Sequence, residues 1–196
     1  MDTPGHADFG GEVERIMHMV DGVLLVVDAY EGTMPQTRFV LKKALAAHVK
    51  PIVVINKVDR PVVRIQEVMD EVLELFMELG ADDNQLDFPT VFVSALNGTS
   101  SLDPDISTQV PNMDCLFDMI INEIPAPAVD VEGGLQLQPA LLDYNDYVGR
   151  IGIGRIQRGS IKVNENVVCL RTDGSKTQFR VQKLFSYLGM HRFEVE

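Results

Sequence analysis

The chain has 196 residues, 45% of them hydrophobic, with 17 Lys and Arg against 29 Asp and Glu, a formal net charge of −12. That length and apolar content suit one large or two small globular domains, and neither a run of about 18 apolar residues, as a membrane span needs, nor a charged-then-apolar secretory opening is found. The two cysteines, Cys115 and Cys169, lack CxxC or Cys/His clustering, which argues for a reducing compartment and against structural zinc.

The chain opens, after Met1, on DTPGHADF. Asp2 is a carboxylate able to hold the magnesium of a nucleoside triphosphate through its waters. Gly5 lets a main-chain N–H approach a terminal phosphate without a Cβ in the way. His6 stands where a polar side chain can orient an attacking water. Next, Val13, Ile16, Met17 and Val20 recur at helical spacing, predicting an amphipathic helix over Glu12 to Val20. The apolar run Val23 to Ala29, with Asp28 near its end, reads as a strand buried on both faces of a parallel sheet.

Thr33 is expected to N-cap a second helix with Pro35 just inside its start, packing through Phe39, Val40, Leu45 and Ala46 and ending near His48. Pro51 to Asn56 reads as a second buried strand, residues 64 to 79 as the clearest amphipathic helix, and Thr90 to Leu96 as a third strand. A polar loop to Pro111 and a helix over Cys115 to Ile124 follow. Three rounds of strand and helix predict right-handed crossovers and a parallel sheet. In such sheets ligands sit at the carboxyl ends of the strands, which here carry Asp28, the NKVD of Asn56 to Asp59, and Ser94 to Leu96.

NKVD has the chemistry of a guanine reader. Asp59 can accept from both N–H groups of guanine's Watson–Crick edge, Asn56 can serve the opposite edge, and adenine offers a different donor pattern. The methylene stem of Lys57 can lie against the base plane. Ser94, Ala95 and Leu96 follow the third strand, where small residues let main-chain N–H groups reach the base carbonyl.

Ile124 to Gly134 is rich in Pro and Gly and reads as an interdomain linker. Beyond it the hydrophobic period changes to two, with Gly and Asp-Gly punctuation, the pattern of an antiparallel barrel or sandwich. The expected division is 1–128, a linker over 129–134, and 135–196. Charge divides at the same place: residues 1–134 carry 8 Lys/Arg against 23 Asp/Glu, a net of −15, and residues 135–196 carry 9 against 6, a net of +3. Arg150, Arg155, Arg158 and Lys162 crowd into the basic part, so the two parts are expected to face different partners.

DTPGH, NKVD and SAL, in this order and each at a strand end, resemble the translational GTPases, the family of elongation factors G and Tu. Asp143 to Gly159 resembles one ribosome-associated branch of that family. The resemblance covers the whole chain and implies an α/β fold, a partial P-loop GTPase domain with a parallel sheet followed by an antiparallel β-barrel domain. It implies GTP and GDP as ligands with Mg2+, Asp2 contacting the metal through water, Gly5 sensing the γ-phosphate, His6 positioning the water, and Asn56, Lys57, Asp59, Ser94, Ala95 and Leu96 reading guanine. The implied activity is GTP hydrolysis by a cytoplasmic factor whose partner is the ribosome, through rRNA and ribosomal proteins.

One departure stands against this. The 196 residues contain no GxxxxGK[ST], the loop whose amides and Lys cradle the β- and γ-phosphates, and no threonine-bearing first switch. The chain is therefore expected to be a fragment starting at the second switch, with its barrel incomplete, and to be inactive alone. Its alternative reading is a non-hydrolysing module that interacts with ribosome or RNA. Without the strand that leads into the phosphate loop, Val23 to Val27 is expected to expose an apolar edge open to self-association.

Overall fold

Hydrophobic periodicity decides the first half of the fold. The computed structural model describes residues 10–189 and 191–195, and the chain divides into two units, Met1–Pro127 and Ala128–Glu196. In the first, the apolar runs become β1 (Gly22–Asp28), β2 (Lys50–Asn56) and β3 (Thr90–Ser94), paired in parallel in the order β1-β2-β3. A short β4 (Thr99–Ser101) adds antiparallel to β3, within the stretch expected to be loop. Helices α1 (Gly10–Met17), α2 (Pro35–Ala46), α3 (Ile65–Glu78), α4 (Asp83–Leu86) and α5 (Asp114–Glu123) complete the unit.

Alternate residues of the strands serve two cores, as the pleat requires. Leu25, Val27, Val53, Ile55 and Phe92 pack with Leu41 and Leu45 of α2 and with Val68, Val72, Leu75 and Phe76 of α3. On the other face Ile52, Val54, Val91 and Val93 pack with Leu116 of α5. Each such fully buried side chain contributes roughly 1.5–3 kcal/mol of transfer free energy. Phe76 is fully buried, its ring 4.4 Å from that of Phe88. Val13 and Met17 of α1 meet Ala44 of α2 in a third cluster.

Four expectations are corrected. Strand β1 is buried on one face only: Leu24 and Val26 are 44% and 56% exposed, because α5 packs on the β2 and β3 residues of their face. The N-cap of α2 is Met34, whose N–H donates to Thr37 Oγ1 at 3.2 Å, while the N–H of Thr33 goes to Glu71 Oε2. Ala46 is exposed, whereas Phe39 and Val40 pack partly buried beside Ala44 and Leu45 is buried with Leu41. Helix α1 ends at Met17 rather than Val20.

The second unit is a set of antiparallel pairs: β5 (Gln136–Asn145) with β6 (Gly149–Arg158), β7 (Asn166–Leu170) with β8 (Lys176–Arg180), and β9 (Leu184–Leu188) with β10 (His191–Val195). Gly159, at φ 74°, ends β6 where an added Cβ would lie 2.7 Å from the main chain of Gly133 and Leu135, so only glycine fits. The Arg192 guanidinium bonds Asp143 at 2.8 Å, linking β10 to β5. Among the described residues of this unit, Ala140 and Val181 are the buried apolar ones. A register shift between Ile156 and Arg158 puts Arg155 and Arg158 on one face of β6, opposite Gln138 and Gln136 of β5, and leaves Arg150 on the other. Among the described residues no helix is long and apolar enough to cross a membrane.

Candidate functional site

The parallel register brings three strand ends into line. Asp28 pairs with Asn56, and Asn56 with Val93. The ladder continues past them, with Ala29 N–H donating to Asn56 O at 2.8 Å and Val58 N–H to Val93 O at 3.3 Å. The loops that carry NKVD and SAL thus leave the sheet side by side at its carboxyl edge, the ligand-binding edge of open α/β sheets.

Asn56 knots two of these loops. Its side-chain oxygen accepts the N–H of Lys57 at 2.7 Å and that of Ala95 at 3.1 Å. The Nδ2 amide then has no partner among the described residues and is left to donate outward. Lys57 has φ 66°, a left-handed conformation that costs a non-glycine residue about 1 kcal/mol or more. Arg60 N–H closes the turn onto Lys57 O at 3.2 Å. Asp59, between them, is exposed, and its carboxylate makes no hydrogen bond or ion pair with another described residue.

Behind the turn lies a charge cluster centred on Asp28, whose side chain is only 10% exposed. Its Oδ2 forms ion pairs with the Lys57 ammonium at 2.7 Å and Arg60 Nη1 at 3.2 Å, and Arg60 Nη1 donates to its Oδ1 at 3.4 Å. Its Oδ1 accepts the N–H groups of Tyr30 at 2.9 Å and Glu31 at 3.2 Å. Burial alone would raise this carboxyl's pKa, but the bond from Lys57 and the two N–H groups outweigh it and hold the value at about 2.

The loop after Asp28 is braced from the other side by Arg64, which donates to the carbonyls of Tyr30 and Glu31 and pairs with Glu71. Gly32, at φ 75°, closes that loop with its N–H on Asp28 O at 3.0 Å, and any Cβ there would strike the Glu71 carboxylate. The edge is therefore stiff, as a preorganised binding surface requires.

The residues expected to act together fare differently. Asn56, Lys57, Asp59, Ala95 and Leu96 meet at the edge. Ser94 is buried, and its hydroxyl accepts the Asn97 N–H at 3.2 Å, closing the turn after β3. Ala95 spends its N–H on Asn56, whereas that of Leu96, whose side chain is 89% exposed, has no partner among the described residues. Asp2, Gly5 and His6 lie outside the described residues. The sequence reading placed Asp28 at a strand end without giving it a role and passed over Arg60. The signal for Asp28 was a lone carboxylate closing an apolar run beside the NKVD strand.

Comparison with known proteins bears on this edge. Residues 1–126 match the elongation factor Tu GTP binding domain family. The whole chain is similar, at 61% identity, to the large ribosomal subunit assembly factor BipA of Bacillus subtilis, of which it covers 32%. The same-named proteins of Salmonella typhimurium and Haemophilus influenzae are 55% and 53% identical over 99% of the chain. The chain spans about a third of the length of the curated relatives it matches.

Proposed function

The chain belongs to the elongation factor Tu GTP-binding family, and from that premise we propose that its α/β unit reads the base of GTP or GDP within a ribosome-associated GTPase. The observation that carries the reading is the state of Asn56 and Asp59: an amide whose oxygen is tied into the fold and whose NH2 is left over, one turn from a carboxylate with no partner among the described residues. Asp59 would accept from the N1–H and N2–H of guanine, Asn56 Nδ2 would donate to the opposite edge, and the Leu96 N–H would be offered to the base carbonyl. The Lys57 stem would lie along the base plane.

At the phosphate end the assignments follow DTPGH: Asp2 toward the magnesium waters, Gly5 toward the γ-phosphate, His6 toward the attacking water. Bound GTP would bring the phosphoanhydride, and Mg2+ would neutralise its oxygens. Phosphoryl transfer is mostly positioning and electrostatic stabilisation, so the 196 residues alone, which contain no GxxxxGK[ST], are assigned no hydrolysis. That same absence favours a second reading for the isolated chain, binding to ribosome or RNA without turnover. The partner class comes from the relatives named as large-ribosomal-subunit assembly factors, and with it a cytoplasmic place of work.

The test is Asp59→Asn in the full-length gene product. Preference should move from GTP toward xanthosine triphosphate, since a good bidentate contact discriminates by about 1–3 kcal/mol. Unchanged GTP affinity overturns the reading.

A further inference from the structure

We propose that Asp28 is a positioning residue of this guanine site, clamping the Lys57–Asp59 turn from both flanks; the inference rests on the guanine reading above. The turn is anchored on one carboxylate before and after Asp59, through the Lys57 ammonium at 2.7 Å and Arg60 Nη1 at 3.2 Å. A carboxylate only 10% exposed keeps such ion pairs from being screened away.

Two consequences follow for a bound base. Lys57 starts from a left-handed backbone, φ 66°, with its ammonium fastened on Asp28, so its four-carbon stem is drawn from the end of β2 toward the end of β1 and held there. A stem fixed at both ends loses little further freedom when a planar base settles on it, which is the usual gain from preorganisation. Arg60, fastened to the same carboxylate, holds the far side of the turn, so Asp59 is presented on a short arch with both feet fixed. Asp28 is itself oriented by the Tyr30 and Glu31 N–H groups on its other oxygen. It touches no base in this arrangement and acts through Lys57 and Arg60.

Asp28→Asn is the informative variant, because it keeps the Oδ1 acceptor for Tyr30 and Glu31 and removes the charge. In the full-length gene product, at a temperature where each protein is folded by circular dichroism, affinity for fluorescent GDP should fall about tenfold. Lys57→Met, which keeps an apolar stem without its anchor, should weaken GDP as well, and the double variant should bind nearly as well as the weaker single, since both remove one interaction. Wild-type GDP affinity in Asp28→Asn, or losses that multiply in the double variant, would overturn the proposal. Should Asp28→Asn not fold, Asp28→Glu carries the same cycle by moving the charge one methylene. Asp59→Asn run in parallel separates the two ideas. If it turns preference toward xanthosine diphosphate while Asp28→Asn binds normally, only the clamp fails; if preference does not move, the guanine reading fails and the clamp with it.

Discussion

The side-chain oxygen of Asn56 accepts the main-chain N–H of Ala95 at 3.1 Å, tying the end of β2 to the loop that follows β3. The same oxygen holds the Lys57 N–H, so Asn56 has a structural half and a free half in one amide. Asparagine at this position is therefore a fold residue and a candidate ligand at once.

The halves can be separated. Asn56→Asp keeps an acceptor for both N–H groups but trades the outward NH2 for a charged oxygen, so its melting temperature should stay near wild type while GDP affinity collapses. Asn56→Ala strands both N–H groups and should lose about 1–3 kcal/mol of stability as well. Chemical denaturation beside GDP titration checks the pair; equal stability losses in both variants would refute the division.

The pH dependence of stability should carry the mark of Asp28. Its carboxyl is held down from 3.8 to about 2 in the folded chain, so the folded state favours the charged form. The stability it contributes is fully present above about pH 4 and is lost as pH falls toward 2, up to about 2 kcal/mol. The difference in unfolding free energy between wild type and Asp28→Asn should shrink across that window. A difference constant from pH 5 to pH 2 would contradict it.

Among the described residues β1 ends the sheet, with Leu24 and Val26 half exposed beside its open edge. Such an edge is a template for another strand. The 196-residue polypeptide by itself is expected to scatter light as more than a monomer and to bind GTP only weakly. Val26→Lys should lower the scattering mass; a clean monomer with micromolar GTP affinity would show both expectations wrong.

The basic β unit is expected to favour the face of β6 that carries Arg155 and Arg158, which pair with Gln138 and Gln136 on one face of β5. Reversing both to Glu should weaken ribosome pelleting and flatten its salt dependence, because each phosphate contact contributes to the slope. Arg150→Glu, on the opposite face, should do less. Equal effects from all three would mean that the face is not what matters.

Sequence alone determined the alternation of strand and helix, the cores on two sheet faces, and the identity of the residues at the carboxyl edge, because periodicity and strand-end position are local properties. Local pattern could not say how those residues divide their bonds. That Asn56 gives its oxygen to Ala95, that Ser94 turns its hydroxyl to Asn97, and that Asp28 gathers Lys57 and Arg60 depend on the register of β1 against β2 and of β2 against β3. The half-bare face of β1 is of the same kind: an apolar run reads alike whether or not a helix covers it, and only the placement of α5 on β2 and β3 decided that Leu24 and Val26 would meet solvent. Contacts between residues tens of positions apart leave no trace in local spacing, so tertiary structure alone could assign them.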